Sequence, residues 1–328
     1  MGNAGNGIGE LGTQEASERL IRDLYTDLRT KLAAWSQVTH QTAQARMGYV
    51  GQHLVSVVTG CPGGKSGARG KDLLLPDGGF AEIKTCYRVD QLGYCEDCRT
   101  RTSPLEAVCP ECGSKALRRP DDSKWLISIR NDEEFEQILG PRFYFLVLLD
   151  FTDTDKPDTI RASIWRVDPH SAGFSMCMVD YYFNIRAKSK SKAPFNLWPY
   201  SPKFYMMKPR LCYRSLILPD NSIDTQVLKA WDDPEKLELC PLSDFARATT
   251  ITREALSHAA DRLAIPCGDT KSKSGILAAI DLWLESEAGD CEQLSDCLAA
   301  GVYAPLVAPH LARLGTGLRQ AVSPFCSE

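Results

Sequence analysis

The chain has 328 residues, 43% of them apolar and 24% charged, an ordinary globular composition that excludes a largely disordered or fibrous protein. A formal net charge of −4 excludes a chain that attracts polyanions through bulk electrostatics, so any nucleic-acid surface has to be a local patch. The length exceeds one average core and predicts one large domain with insertions, or two domains.

The opening MGNAGNGIGELG has neither the apolar run of an export signal nor the hydroxyl of a myristoylation site. Thirteen cysteines, an odd number without an export signal, then point to metal ligation rather than a disulfide framework. The longest apolar run, residues 143–149, is far shorter than a membrane helix. A cytosolic protein with no membrane partner is expected.

In chain order, Leu20, Ile21, Leu24, Leu28 and Leu32 recur at the spacing of an amphipathic helix over residues 14–35. A second helix is predicted over 42–58, ending at Gly60 before the loop CPGGKSGARG. KDLLL, the turn PDGG and FAEIKTCY form a predicted hairpin about Asp77 and Gly78. Strands follow at 125–129, 142–151 and 160–167, with a short helix over 132–139 between the first two. This order predicts an α/β fold, a mixed central sheet flanked by helices. From Thr225 onward strand signals fade, and 242–248, 253–263 and 275–285 are predicted helices. The expected division is a core over 1–224, carrying an insertion at 91–121, and a helical domain over 225–328.

Folding the hairpin about Asp77 and Gly78 sets Asp72 opposite Glu82, with side chains roughly 5 Å apart. Two facing carboxylates repel unless a cation lies between them, and both can reach one hard ion at about 2.1 Å. The pair therefore asks for Mg2+. Lys84 shares the face of Glu82 through the period of two in a strand, and its ammonium is placed to stabilise developing negative charge or to orient water. Ile83 points the other way, but its carbonyl is a candidate third ligand. Asp77 is a decoy: as part of the turn it would lie about 15 Å from Glu82 along an extended strand. Cys86, with no nearby histidine, is expected to be a small buried residue.

The pattern of a first Asp, a hairpin and Glu-X-Lys, met by Asp72, Glu82, Ile83 and Lys84, resembles the PD-(D/E)XK nuclease superfamily. With the preceding helix and Ser66-Gly-Ala-Arg-Gly70, it is similar to type II restriction endonucleases, and among them to the MamI-like family. The resemblance covers about residues 48–167. It implies a restriction-endonuclease-like fold and a Mg2+-dependent endodeoxyribonuclease of the prokaryotic cytosol, cutting double-stranded DNA to leave 5'-phosphate and 3'-hydroxyl ends. One site per chain and two strands to cut predict a homodimer. Lys71 stands where proline is commonest in the family. Gln52 stands where relatives often place a metal-assisting glutamate, which makes it a weaker candidate ligand. A repair or junction-resolving nuclease with the same site, or a zinc-dependent DNA-binding module without catalysis, are the alternatives.

Cys95-Glu-Asp-Cys98 and Cys109-Pro-Glu-Cys112, ten residues apart, are two knuckles able to close a four-thiolate Zn2+ site. Such a closed site is structural and would fold an insertion with few apolar residues of its own. Arg99, Arg101, Lys115, Arg118 and Arg119 in this insertion are either phosphate contacts or a solvated face. Arg69 and Lys71 flank the catalytic loop as candidate DNA contacts. Residues 181–219 contain no Asp or Glu, and interleave Lys188, Lys190, Lys192 and Lys203 with Trp198, Tyr200, Phe204, Tyr205 and Tyr213. This stretch is the candidate DNA-binding arm, its bases neutralising phosphates and its aromatics stacking. Residues 242–265 have the outline of a helix-turn-helix, diluted by acidic side chains, and plain helical packing is the simpler expectation.

Overall fold

The computed structural model describes residues 10–39, 41, 48–64, 71–104, 106–119, 122–154, 157–190, 193–236, 242–270 and 272–326. Arg69, Lys192, the loop residues 65–70 and the first residues of the helix expected over 42–58 lie outside them. The chain forms two compact units, each assembled from separated stretches. One comprises Met1–Trp125, Tyr144–Arg166 and Arg210–Glu235; the other comprises Leu126–Phe143, Val167–Pro209 and Lys236–Glu328.

The first unit is a mixed sheet flanked by helices, as the element order predicts. Helices α1 (Gln14–Ile21), α2 (Asp27–Thr39) and α3 (Gly48–Thr59) precede it. Its main path consists of β1 (Leu73–Leu74), β2 (Phe80–Tyr87), β3 (Phe143–Phe151), β4 (Ile160–Val167), β5 (Arg210–Ile217) and β6 (Ile223–Leu228), hydrogen-bonded in that order. The pairs β1–β2, β4–β5 and β5–β6 are antiparallel. Strand β3 is buried from Tyr144 to Phe151, which is why FYFLVLLDF reads as a continuous apolar run rather than an alternation. Its one acid, Asp150, is 3% exposed and accepts from Arg161 Nε at 3.1 Å and Nη2 at 2.5 Å, since a buried carboxylate needs such a partner. The Trp125 indole N–H donates to the Val147 carbonyl at 2.8 Å.

Two expectations are corrected here. Between α1 and α2 the chain makes a π-helical turn, Arg22–Thr26, in which the Asp27 N–H bonds to the Arg22 carbonyl. The extra residue in that turn rotates every side chain after it about the helix axis. Ile21 is 2% exposed, but Leu24 and Leu28 are 38% and 37% exposed, and Tyr25 is fully buried in their place. Strands also continue past the point where their signal fades: β6 runs to Leu228, and Glu235–Lys236 pairs with β5.

The second unit is mainly helical. Helix α4 (Ala172–Asp180), buried along its whole length, packs on α7 (Cys291–Val307). Helix α5 (Arg253–Arg262) packs on α7 and on α6 (Lys273–Leu284), and α8 (Thr316–Cys326) covers α7 and α4. Ser and Thr N-caps start several of these helices, for example Ser171 accepting from Phe174 N and Thr252 from Ala255 N. Residues Leu242–Phe245 form only a 3-10 turn, so the helix-turn-helix outline resolves into ordinary packing. No helix among the described residues is long and apolar enough to cross a membrane.

The basic stretch 181–219 is not an arm of exposed aromatics. Tyr181, Tyr182 and Phe183 continue α4 as a buried π-helical turn, and Phe204, Tyr205 and Tyr213 are 1%, 3% and 0% exposed. Their rings fill cores because they lie on the inner faces of a helix and of β5, which leaves Trp198, at 38%, as the exposed aromatic among them. Lys188 donates to Asn184 at 3.3 Å, and Lys203 lies 5.5 Å from the centre of the Phe195 ring. Lys190 is exposed.

Candidate active site and cysteine cluster

The hairpin turns where its sequence says. Leu75 and Gly78 close it by a 3.0 Å backbone bond, Gly78 has φ +82°, and the Asp77 carboxylate accepts from Gly79 N at 2.9 Å. Asp77 is thereby committed to the turn, as Asp residues commonly are. Leu73 faces Ala81 and Leu74 faces Phe80, and continuing that register one residue sets Asp72 opposite Glu82. The Asp72 carboxylate lies against β2, its Oδ2 accepting from the Ile83 N–H at 2.9 Å. Along β2, Ala81 and Ile83 are buried while Glu82 and Lys84 are partly exposed, the alternation expected of a strand with one polar face. Lys84 Nζ donates to Glu82 Oε1 at 2.5 Å.

Glu82 Oε2 is buried and has no hydrogen-bond partner among the described residues. An orphaned carboxylate oxygen costs its full desolvation penalty. A hard cation held between Glu82 and Asp72 would supply the missing partner, so the donor set fits a magnesium ion. Gln52, on α3, donates its amide to Asp72 Oδ1 at 3.3 Å; rotated about its last bond, the same side chain offers a neutral oxygen. Lys71 is exposed, its ammonium 5.4 Å from the Phe80 ring centre. Cys86, expected to be buried, is 2% exposed.

The alignment of α3 on β2 rests on a close approach. A Cβ added to Gly51 would lie 2.2 Å from Thr85 Oγ1, and the Gly51 N–H donates to the Tyr87 hydroxyl at 3.3 Å. Two tyrosines thus border the site without having signalled it in the sequence. Burial raises the Tyr87 phenol well above its usual range despite that bond. Burial also raises Tyr144, on β3, with the charge of Glu82 adding to the effect. Tyr144 sits in an apolar run, where a lone hydroxyl is easily taken for core, and Tyr87 ends its strand in a stretch without a motif. Farther along, Asp90 is pushed up to about 6 by burial, opposed by Arg29 at 3.9 Å.

The four predicted zinc ligands come together. Cys95 and Cys112 sulfurs are 3.6 Å apart, Cys98 and Cys109 sulfurs 3.5 Å, and all four lie within 4.8 Å of one another. A tetrahedral zinc with bonds of about 2.3 Å sets its sulfurs about 3.8 Å apart, so the cluster fits that ion. The two knuckles are built alike. Cys95 accepts from Arg99 N at 3.0 Å and Cys109 from Gly113 N at 2.8 Å, with Arg99 and Gly113 both at positive φ, 64° and 71°. Around them Gly93–Cys95 forms the middle strand of a three-stranded sheet, flanked by Arg101–Thr102 and Leu117–Arg118. Arg119 is spent inside the insertion, donating to the Pro104 and Glu106 carbonyls at 3.4 and 2.9 Å.

A family model described as MamI restriction endonuclease matches residues 34–241, a span that holds Gln52, Asp72, Glu82, Lys84 and the four cysteines. The chain is also similar to the type II restriction enzyme MamI of Microbacterium ammoniaphilum, with 29% identity over 166 residues, 49% of this chain and 47% of that protein. The match thus spans about half the length of the curated relative. No solved structure matches the chain. With the family model covering more than half of its residues, the chain belongs to the MamI restriction endonuclease family.

Proposed function

We propose that the chain is a type II restriction endonuclease that hydrolyses phosphodiester bonds in double-stranded DNA with Mg2+ held by Asp72, Glu82 and the Ile83 carbonyl. The observation that carries this reading is the unpartnered, buried Glu82 Oε2 on the strand to which Asp72 is tied. When bound, the divalent cation supplies Lewis-acid chemistry, acidifying water and offsetting charge on the scissile phosphate. Asp72 and Glu82 fix its position. Lys84, held beside Glu82, stabilises charge developing on the phosphate and orients the attacking water. Gln52 restrains Asp72 and is available as a weak neutral ligand. Arg69 and Lys71, immediately before Asp72, are assigned to the DNA backbone, with Lys188, Lys190, Lys192 and Lys203 as further phosphate contacts. The zinc cluster, with all four positions taken by thiolates, is structural. A homodimer would place one such site on each strand.

Digestion of mixed genomic DNA with magnesium, followed by sequencing of the ends, tests the reading. A short common sequence at ends bearing 5'-phosphate and 3'-hydroxyl groups is expected. A preference for branched over intact duplex would make the chain a repair or junction nuclease, and no magnesium-stimulated cutting of any duplex would leave only a zinc-containing DNA-binding protein.

A further inference from the structure

One row of side chains crosses the three-stranded sheet of the insertion: Tyr94 faces Arg101 on one neighbouring strand and Arg118 on the other. Directly paired residues project from the same side of a sheet. This side faces solvent, since Arg101 and Arg118 are exposed while Gly93, Cys95 and Thr102, on the opposite phase, are buried. Arg99 joins the row from the first knuckle, its positive φ turning the guanidinium to 5.5 Å from the Tyr94 ring centre. The Arg118 guanidinium lies 6.0 Å from the same centre and donates to the Tyr94 hydroxyl at 3.3 Å. Two guanidinium groups therefore lie against one aromatic ring, and Arg101 is paired with Tyr94 from the neighbouring strand. Among the described residues none of the three arginines is in an ion pair.

We propose that this Arg99–Arg101–Arg118 face, centred on Tyr94, grips the sugar-phosphate backbone of duplex DNA. The inference rests on the nuclease reading for its partner and deepens it, because the zinc knot then serves to hold a contact surface rigid. Planar guanidinium groups bind phosphate oxygens through paired hydrogen bonds. Arg101 and Arg118 are two strand spacings apart, about 9–10 Å at the backbone, within reach of neighbouring phosphates of one strand. Charge gathered on one patch also explains how a chain of net charge −4 meets a polyanion. The contact is made to the backbone, so it adds affinity and register rather than base choice.

The test compares the full-length parent with Arg101→Ala/Arg118→Ala, measuring binding to sheared genomic duplex in calcium without magnesium, at several salt concentrations, and zinc per chain. The double variant should keep its zinc, bind at least tenfold more weakly, and show a salt dependence shallower by about two in log–log slope. Arg101→Lys/Arg118→Lys should keep most of that slope. Should the double variant lose zinc, Arg101→Glu alone, whose side chain holds nothing else in place, is expected to weaken binding with zinc retained. Unchanged affinity and slope in a zinc-loaded variant overturns the proposal, as does stronger competition by polyglutamate than by duplex. The two readings fail separately. Normal binding by a variant of a cleaving parent refutes the face and leaves the nuclease standing, while salt-dependent binding through this face in a parent that never cuts does the reverse.

Discussion

The backbone N–H of Ile83 is 2.9 Å from the carboxylate of Asp72, so the acid that precedes the hairpin is bound to the strand carrying Glu82 and Lys84. The bond crosses the turn and restrains the Asp72 carboxylate against the strand that bears the other two side chains. Such restraint matters because misplacing reacting groups by about 1 Å can cost about a hundredfold in rate.

Replacing Asp72 or Lys84 by alanine should lower cleavage by about a hundredfold to a thousandfold or more, while duplex binding measured in calcium stays within a few-fold of the parent. Single-turnover cleavage beside anisotropy makes the comparison. Full cleavage by either variant removes the proposed site.

Gln52→Glu adds a third carboxylate beside Asp72, where the parent has an amide at 3.3 Å. Affinity for hard cations rises with ligand charge. The magnesium concentration giving half-maximal cleavage is therefore expected to fall several-fold. A titration showing an unchanged or raised midpoint would mean that Gln52 does not face the ion.

Gly51→Ala should be harmful despite the usual helical preference for alanine of about 1 kcal/mol. The new Cβ would meet Thr85 at three atoms, from 2.2 to 3.0 Å. Overpacking of this kind costs about 1–3 kcal/mol and would lift α3, with Gln52, away from Asp72. Urea melts and cleavage rates should both decline, and Thr85→Ala added to Gly51→Ala should recover part of each. A stable, fully active Gly51→Ala would show that the helix tolerates a shift.

Asp90 gives a pH signature. Its folded pKa, about 6 against an ordinary 3.8, is raised by burial, so its contribution to stability is fully present below the ordinary value and is lost as pH rises through about 6. The shift of about two units corresponds to at most about 3 kcal/mol. Relative to Asp90→Asn, the parent should lose stability between pH 4 and pH 7, read from denaturant midpoints at each pH. Parallel profiles would place the carboxylate in water.

Much of the site was legible from the chain alone because its signals are local. A turn dipeptide fixes a hairpin, the hairpin fixes which residues face one another, and the period of two fixes which share a side; Asp72, Glu82 and Lys84 follow from those three rules. The paired C-x-x-C knuckles are equally local, and their thiols do converge. The π-helical turn at Arg22–Thr26 was not legible, since one inserted residue rotates every later side chain while leaving the apolar spacing in the sequence untouched. Nor was the fate of the aromatics between Tyr181 and Tyr213. The same basic and aromatic composition suits an exposed arm or a covered core, and only packing decides which.

The sequence by itself determined the mixed sheet, the facing carboxylates with their lysine, and the cysteine knot, all set by interactions between residues close along the chain. Tertiary structure alone decided which helix leans on the site, through Gly51 against Thr85. It also decided which tyrosines border the site and that Arg101, Tyr94 and Arg118 form a single exposed row. These depend on strands and helices meeting across long stretches of chain, where the outcome is set by the volume and charge of partners that no local pattern names.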